Sequence, residues 1–413
     1  MEKQQFSELD LKRDPNRERT WEEKAVKVLD ICREQMPRKD PNGNFMPISF
    51  FDLEKRVPSA GSPIPEYVST GGGSQVGDVD MCDLLRRSEL TWEEKVVEVL
   101  HIVRCQEFTE YDPKNDDYVQ TRFSQFNIAF FDFEKESMIG FGPPLSELGA
   151  SGWLSFESSV NVISLKIVES DVGYPIRVFG TVLARDALDY KRVYLFRRDS
   201  GDPQLITSLN DTLTLTGPYR GLAVTDSMFF EIDLWIKFDE TGDRVLGKGV
   251  IEHNAIRYTK KAMSWLVTSW LSTVELVYAP VQFPVEATVA VNILRGPCNF
   301  TGKVTGWTFE NHENHVILYD TEAAGTRKVL GDDGSIPLSR CVVAVPFGEK
   351  LVLTIFVSGG DEGCTLTFGQ YDDDRQMCNI GPYELLVKVI WTGNVVGRRK
   401  NVFKKFGRTM LLW

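Results

Sequence analysis

The sequence predicts a mainly β protein, α+β overall, in which two tandem antiparallel β-sandwich modules follow a duplicated helix-plus-strand N-terminal region. Three observations carry this reading. Apolar and polar residues alternate with a period of two from about residue 155 onward. The blocks of that region recur once at a near-constant displacement. Upstream, a Thr-Trp-Glu-Glu-Lys motif occurs twice, at Thr20 and at Thr91.

The N-terminal motif is a helix start. Thr20 and Thr91 take the N-cap position, and Glu23 and Glu94 stand three residues later, the spacing of a capping box that satisfies free backbone N–H groups. Ala25, Val28, Leu29 and Cys32, matched by Val96, Val99, Leu100 and Val103, then form an i, i+3, i+4, i+7 stripe, so each motif opens a short amphipathic helix. Each helix leads to an Asp-Pro turn (Asp40-Pro41, Asp112-Pro113) and to a matching run, Phe51-Asp52-Leu53-Glu54-Lys55 and Phe131-Asp132-Phe133-Glu134-Lys135. Between the copies, Pro58 to Pro65 and Gly71-Gly72-Gly73-Ser74 offer little to bury and much backbone entropy to lose, which is linker chemistry.

In the β region, Phe230, Ile232, Leu234 and Ile236 alternate with Glu231, Asp233, Trp235 and Lys237. The run Phe230–Ile236 aligns with Leu351–Val357, placing Ile232 over Leu353 and Leu234 over Ile355. Gly180-Thr181-Val182 aligns with Gly302-Lys303-Val304, Val193–Phe196 with Val316–Tyr319, and Val274–Val277 with Tyr383–Leu386, with an insert in the first copy near 252–270. Two modules of about 110–125 residues follow, a size at which β-sandwiches are stable. The expected order is a first helix-containing repeat at 1–57, a flexible linker at 58–90 and a second repeat at 91–150 packing on the β region. Module one then spans 151–283, module two spans 284–395, and a basic tail spans 396–413.

Composition bounds the function. The 413 residues are 42% hydrophobic and 26% charged, which excludes wholesale disorder. The net charge of −12 argues against a protein that coats nucleic acid over its whole surface, because a polyanion needs a positive field, and leaves the basic tail as the one segment for such binding. Met1 to Asp14 contains no apolar signal-peptide core, and no apolar run reaches spanning length, so a cytoplasmic or nuclear protein without a transmembrane segment is expected. The seven cysteines are scattered and lack zinc-ligand spacing, so all are read as reduced thiols. The sequons at Asn210 and Asn299 are read as turns.

Candidate chemistry is sparse. An rRNA glycosidase would need a helical Glu-x-x-Arg with a nearby Trp, and the sequence shows none in a helical context. His312 and His315 could ligate zinc only with further ligands, and their Asn neighbours favour a turn. Asp199/Asp202, Asp239/Glu240/Asp243, Asp332/Asp333, Asp361/Glu362 and Asp372/Asp373/Asp374 are loop acids that would hold calcium only if several converged. Trp235, Trp265, Trp270, Trp307 and Trp391 could stack a nucleotide or pack a sheet face. Neither a nucleophile elbow nor a phosphate loop is present, and no cofactor is expected. The one basic concentration is Arg398, Arg399, Lys400, Lys404, Lys405 and Arg408, interleaved with Phe403, Phe406 and Trp413. It reads as an anion-binding or partner-binding segment, for nucleic acid or an acidic membrane, or as a solvated tail lying on the chain's own acidic body.

Several blocks carry a family resemblance: Tyr118–Phe123, Phe131–Ser137, Val178–Asp186, Asp189-Tyr190-Lys191, Val193–Arg198 and Leu215–Pro218. Together they resemble a large grass-expanded plant family of unknown function, also found as the C-terminal part of cereal jasmonate-induced ribosome-inactivating proteins. The resemblance covers about residues 90–395 and implies a plant setting in stress or defence, without catalytic residues to carry over. The extra unit at 20–56 departs from the family's single N-terminal unit. The expectation is a non-catalytic interaction or adaptor protein with an unidentified protein partner. The alternatives are ribosome-inactivating kin and a calcium- or nucleotide-binding module.

Overall fold

A computed structural model describes residues 101–147, 158–393, 403–406 and 409–412, apart from a few interior positions. The first helix-containing repeat, the linker and the capping Thr91 lie outside the described residues. The chain forms two compact units. One comprises Met1–Glu107, Ser124–Phe131 and Asn401–Trp413, the other Phe108–Phe123 and Asp132–Lys400.

Within the smaller unit, His101, Arg104, Cys105 and Glu107 are helical. Arg104 Nη1 donates to the Ile128 carbonyl at 2.6 Å, and the Ile128 N–H donates to His101 Nδ1 at 3.3 Å.

The larger unit is mainly β and holds both modules. It opens with a hairpin, β1 (Thr109–Asp112) and β2 (Asp117–Gln120). Module one follows with β3 (Ser159–Ser170), β4 (Ile176–Arg185), β5 (Val193–Arg198), β6 (Gln204–Ile206), β7 (Ser227–Ile236), β8 (Arg244–Asn254), β9 (Met263–Ser269) and β10 (Ser272–Val281). Its sheets run β3-β10-β9 and β5-β4-β7-β8, with β6 pairing β4. Module two contains β11 (Pro284–Arg295), β12 (Gly302–Thr308), β13 (Val316–Asp320), β14 (Val342–Pro346), β15 (Leu351–Val357), β16 (Gly363–Phe368), β17 (Arg375–Ile380) and β18 (Tyr383–Gly393). Its sheets run β14-β11-β18-β17 and β13-β12-β15-β16. The two orders correspond strand for strand, with an isolated Ser158–Val224 bridge in module one where β14 stands in module two.

Each module has its own core. Val182, Ile232, Leu234 and Tyr278 belong to the first, and Val304, Leu353, Ile355 and Val387 to the second. The predicted core residues of both repeats are therefore buried. Their pairing is corrected by two positions. The β4–β5 ladder shifts register after Val182, and the β12–β13 ladder after Val304, so these residues correspond. Opposite them stand Ile232 and Ile355, which makes Ile232 the counterpart of Ile355 rather than of Leu353. A slip of two leaves every side chain on its face, so the hydrophobic pattern is blind to it.

A second correction concerns the thiols. Cys364 on β16 and Cys378 on β17 are joined as a disulfide, their Cα atoms 6.6 Å apart, whereas the sequence reading left every cysteine reduced.

Candidate functional site

The predicted basic cluster is only partly described. Arg398, Arg399, Lys400 and Arg408 lie outside the described residues. Lys404 and Lys405 sit on a strand, β19 (Phe403–Phe406), opposite Leu411 and Met410 of β20 (Thr409–Leu412).

The loop acids that are described are engaged locally. Asp202 pairs with Arg198 at 2.8 Å, Asp243 lies 3.7 Å from Lys237, and Asp333 Oδ1 accepts the Ser335 N–H at 3.1 Å. Among the described residues, no group of three or more His, Cys, Asp or Glu is placed to hold a metal. The His315 ring stacks on Trp307 at 5.7 Å, and its Nε2 lies 3.1 Å from the His312 carbonyl. Burial holds two other histidines neutral. His253, its pKa lowered by burial, faces the Tyr278 hydroxyl, which burial pushes up to about 12, at 3.1 Å. His101 is pushed down to about 4 by burial and by Arg104, and the neighbouring Cys105 thiol is pushed up to about 11 by burial. A neutral imidazole beside an undissociated thiol is the reverse of an activated nucleophile.

Buried charge is instead spent on holding segments together. Arg185 and Glu231, on adjacent strands β4 and β7, form a bidentate pair at 2.7 and 2.9 Å. Arg185 also donates to the carbonyls of Tyr190 and Phe133, and its guanidinium lies over the rings of Phe123 and Phe133 at 5.3 and 5.0 Å. Glu231 accepts the Phe123 N–H at 3.1 Å. The segments around Phe123 and Phe133 are thereby fixed on the outer face of the β4-β7 sheet.

Polar groups also join the two modules. The Arg220 guanidinium is bidentate on Asp186, at 2.5 and 3.1 Å, and both side chains are fully buried. Next to it, the Gly221 N–H donates to Glu286 Oε2 of β11 at 3.0 Å. Asn161 of β3 exchanges two hydrogen bonds with the backbone of Ala344 on β14, at 2.7 and 2.9 Å. Arg340 donates to the carbonyls of Val162 and Ile163 in module one and of Ile317 in module two. Its guanidinium, pushed down to about 9 by burial, is solvated by these three carbonyl dipoles, and no ion pair with an acid is seen for it among the described residues. Asn161, Gly221 and Arg340 line a cavity of about 10 Å³, room for a single water.

One end of module two exposes aromatic side chains. Strands β12, β14 and β16 end there, and β11, β13, β15 and β17 begin there. Phe283, 59% exposed, occupies the turn into β11 in a left-handed conformation at φ 44°. Its carbonyl accepts the N–H of Phe347, 39% exposed, from the turn after β14. Phe309, after β12, is 60% exposed. None of these phenylalanines is marked in the sequence, because exposure of a Phe in a turn has no periodic signature.

A family described as a domain of unknown function (DUF6598) matches residues 159–389, more than half of the chain. No curated protein matches the sequence. Among solved structures, human GIVD cytosolic phospholipase A2 in complex with methyl gamma-linolenyl fluorophosphonate is 8% identical, with a TM-score of 0.20; the match covers 56% of this chain and 32% of that one. The chain thus spans about a third of that enzyme's length. The two C2 domains of Extended-Synaptotagmin 2 are 9% identical over 64% of this chain and 97% of theirs, with a TM-score of 0.21.

Proposed function

The chain belongs to the DUF6598 family, whose description assigns no activity, and from the geometry above we propose that it is a non-catalytic interaction or adaptor protein of plant stress or defence. It binds a protein partner through its β-sandwich surfaces. The observation that supports the reading is Phe283. A bulky residue at φ 44° costs on the order of 1–3 kcal/mol of backbone strain, and here the strain presents an apolar ring to solvent rather than to a core. A fold that keeps such a residue has a use for the ring. The plant setting rests on the resemblance carried by the blocks between Val178 and Ile236. A cytoplasmic or nuclear location belongs to the same reading. Among the described residues no helix is long and apolar enough to cross a membrane.

The test is a quantitative affinity pull-down from stressed plant tissue, read by mass spectrometry, with wild type, Phe283→Gly and a chain lacking 396–413. Phe283→Gly relieves the strain and should raise stability by about 1 kcal/mol. The reading expects this more stable variant to lose a partner that wild type captures. Unchanged capture by Phe283→Gly contradicts it, and so does adenine release from plant ribosomes that is abolished by changing a single acid.

A further inference from the structure

The two modules meet through an incompletely satisfied carboxyl group. Glu286, on the outward face of β11, is 1% exposed. Its Oε2 accepts the Gly221 N–H, while Oε1 is buried without a hydrogen-bond partner. Thr392, directly across the ladder on β18, and Thr288, two residues along the same face, also bury hydroxyls without partners. Gly221 lies so close beneath the carboxyl that an added Cβ would collide with Oε1.

The charged groups facing Glu286 both come from module one. They are Arg220, already bidentate on Asp186, and Asp186 itself. From the flanking strands of its own sheet, Ala344 and Thr392 stand opposite it and carry no charge. An ionised carboxylate placed here sheds its water for one backbone N–H and a guanidinium whose charge is already matched. A neutral carboxyl sheds less and gains an O–H to offer a hydroxyl.

We propose that the junction is a proton-controlled latch, in which protonation of Glu286 tightens the hold of module two on the Gly221 loop of module one and ionisation slackens it. Burial pushes the acid up to about 6, with Asp186 adding to the rise, against the opposing pull of the Gly221 N–H and Arg220. An acid weakened in the closed state contributes stability that is full below its ordinary 4.5 and lost as pH rises through about 6. The latch determines when the two modules move as one body, whatever they bind, and so goes beyond the interaction reading.

Native-state hydrogen exchange on the full chain tests it, read at Gly221 and along β14 at about pH 5 and pH 7.5, with intrinsic exchange rates divided out. Junction opening should be roughly tenfold more frequent at the higher pH in wild type. It should vary little with pH in Glu286→Gln, which imitates the protonated acid. The same pH dependence in both proteins overturns the latch. A carboxyl-carbon NMR titration of wild type decides the matter without a variant. A Glu286 midpoint near 6 supports the proposal, and one at or below 4.5 overturns it.

Discussion

Arg340 shows how a single side chain can join two sandwiches. Its donors reach carbonyls 177 and 178 residues away in module one and 23 residues away in module two. Arg340→Met keeps the apolar stem of the side chain and removes the guanidinium with its donors, leaving those three carbonyls short of a partner. The expected cost is about 3 kcal/mol, since hydrogen bonds to a buried charge are each worth roughly 1.5–3 kcal/mol and part of that returns as relief from burying the cation. Urea denaturation of the full-length variant checks it, and a loss below about 1 kcal/mol would mean that the guanidinium is incidental. None of this was legible in the sequence. Arg340, Arg220 and Glu286 look like ordinary surface charges there, because burial is set by partners from distant strands and no local pattern encodes that distance.

At the scale of elements the sequence was more informative, for a physical reason. A half-buried strand must alternate, and a duplicated module must alternate twice, so the strands and their inward faces could be read from Phe230–Ile236 and Leu351–Val357. What alternation cannot report is a slip of two residues, which leaves every side chain on its face, and the offset between Ile232 and its counterpart Ile355 is of that kind. The close approach of the strands at two glycines fixes it in the structure. Gly180 and Gly302 occupy corresponding places on β4 and β12, and in each case the site of a Cβ is filled by a carbonyl of the next strand, that of Asp233 in the first module and that of Phe356 in the second. Those two carbonyls set Asp233 against Phe356, the same register that the bulges give. Gly302→Ala should therefore push β12 from β15 and cost about 2–4 kcal/mol, the range of a severe backbone clash. Thermal unfolding monitored by near-ultraviolet circular dichroism measures the loss. A wild-type midpoint would show that the strands are not held at this approach.

For the whole molecule, the paired sandwich modules were legible, and the way they are joined was not. Repeats announce modules, since each copy carries its own core pattern. A junction is written in single residues such as Asn161, Gly221 and Arg340, which no repeat or periodic pattern marks. The candidate sites divide in the same way. The basic segment was visible as a run of charge, while the exposed Phe283 and Phe347 belong to turns whose meaning depends on backbone conformation. Through this buried polar junction the two modules form one cooperative body. Native-state hydrogen exchange of the full chain at about pH 5, where the Glu286 latch is closed, tests this across a denaturant series, followed separately for β4 of module one and β12 of module two. The two strands should open with the same free energy and the same denaturant dependence, and Arg340→Met should separate them. Separate opening of β4 and β12 in the wild-type protein would contradict it.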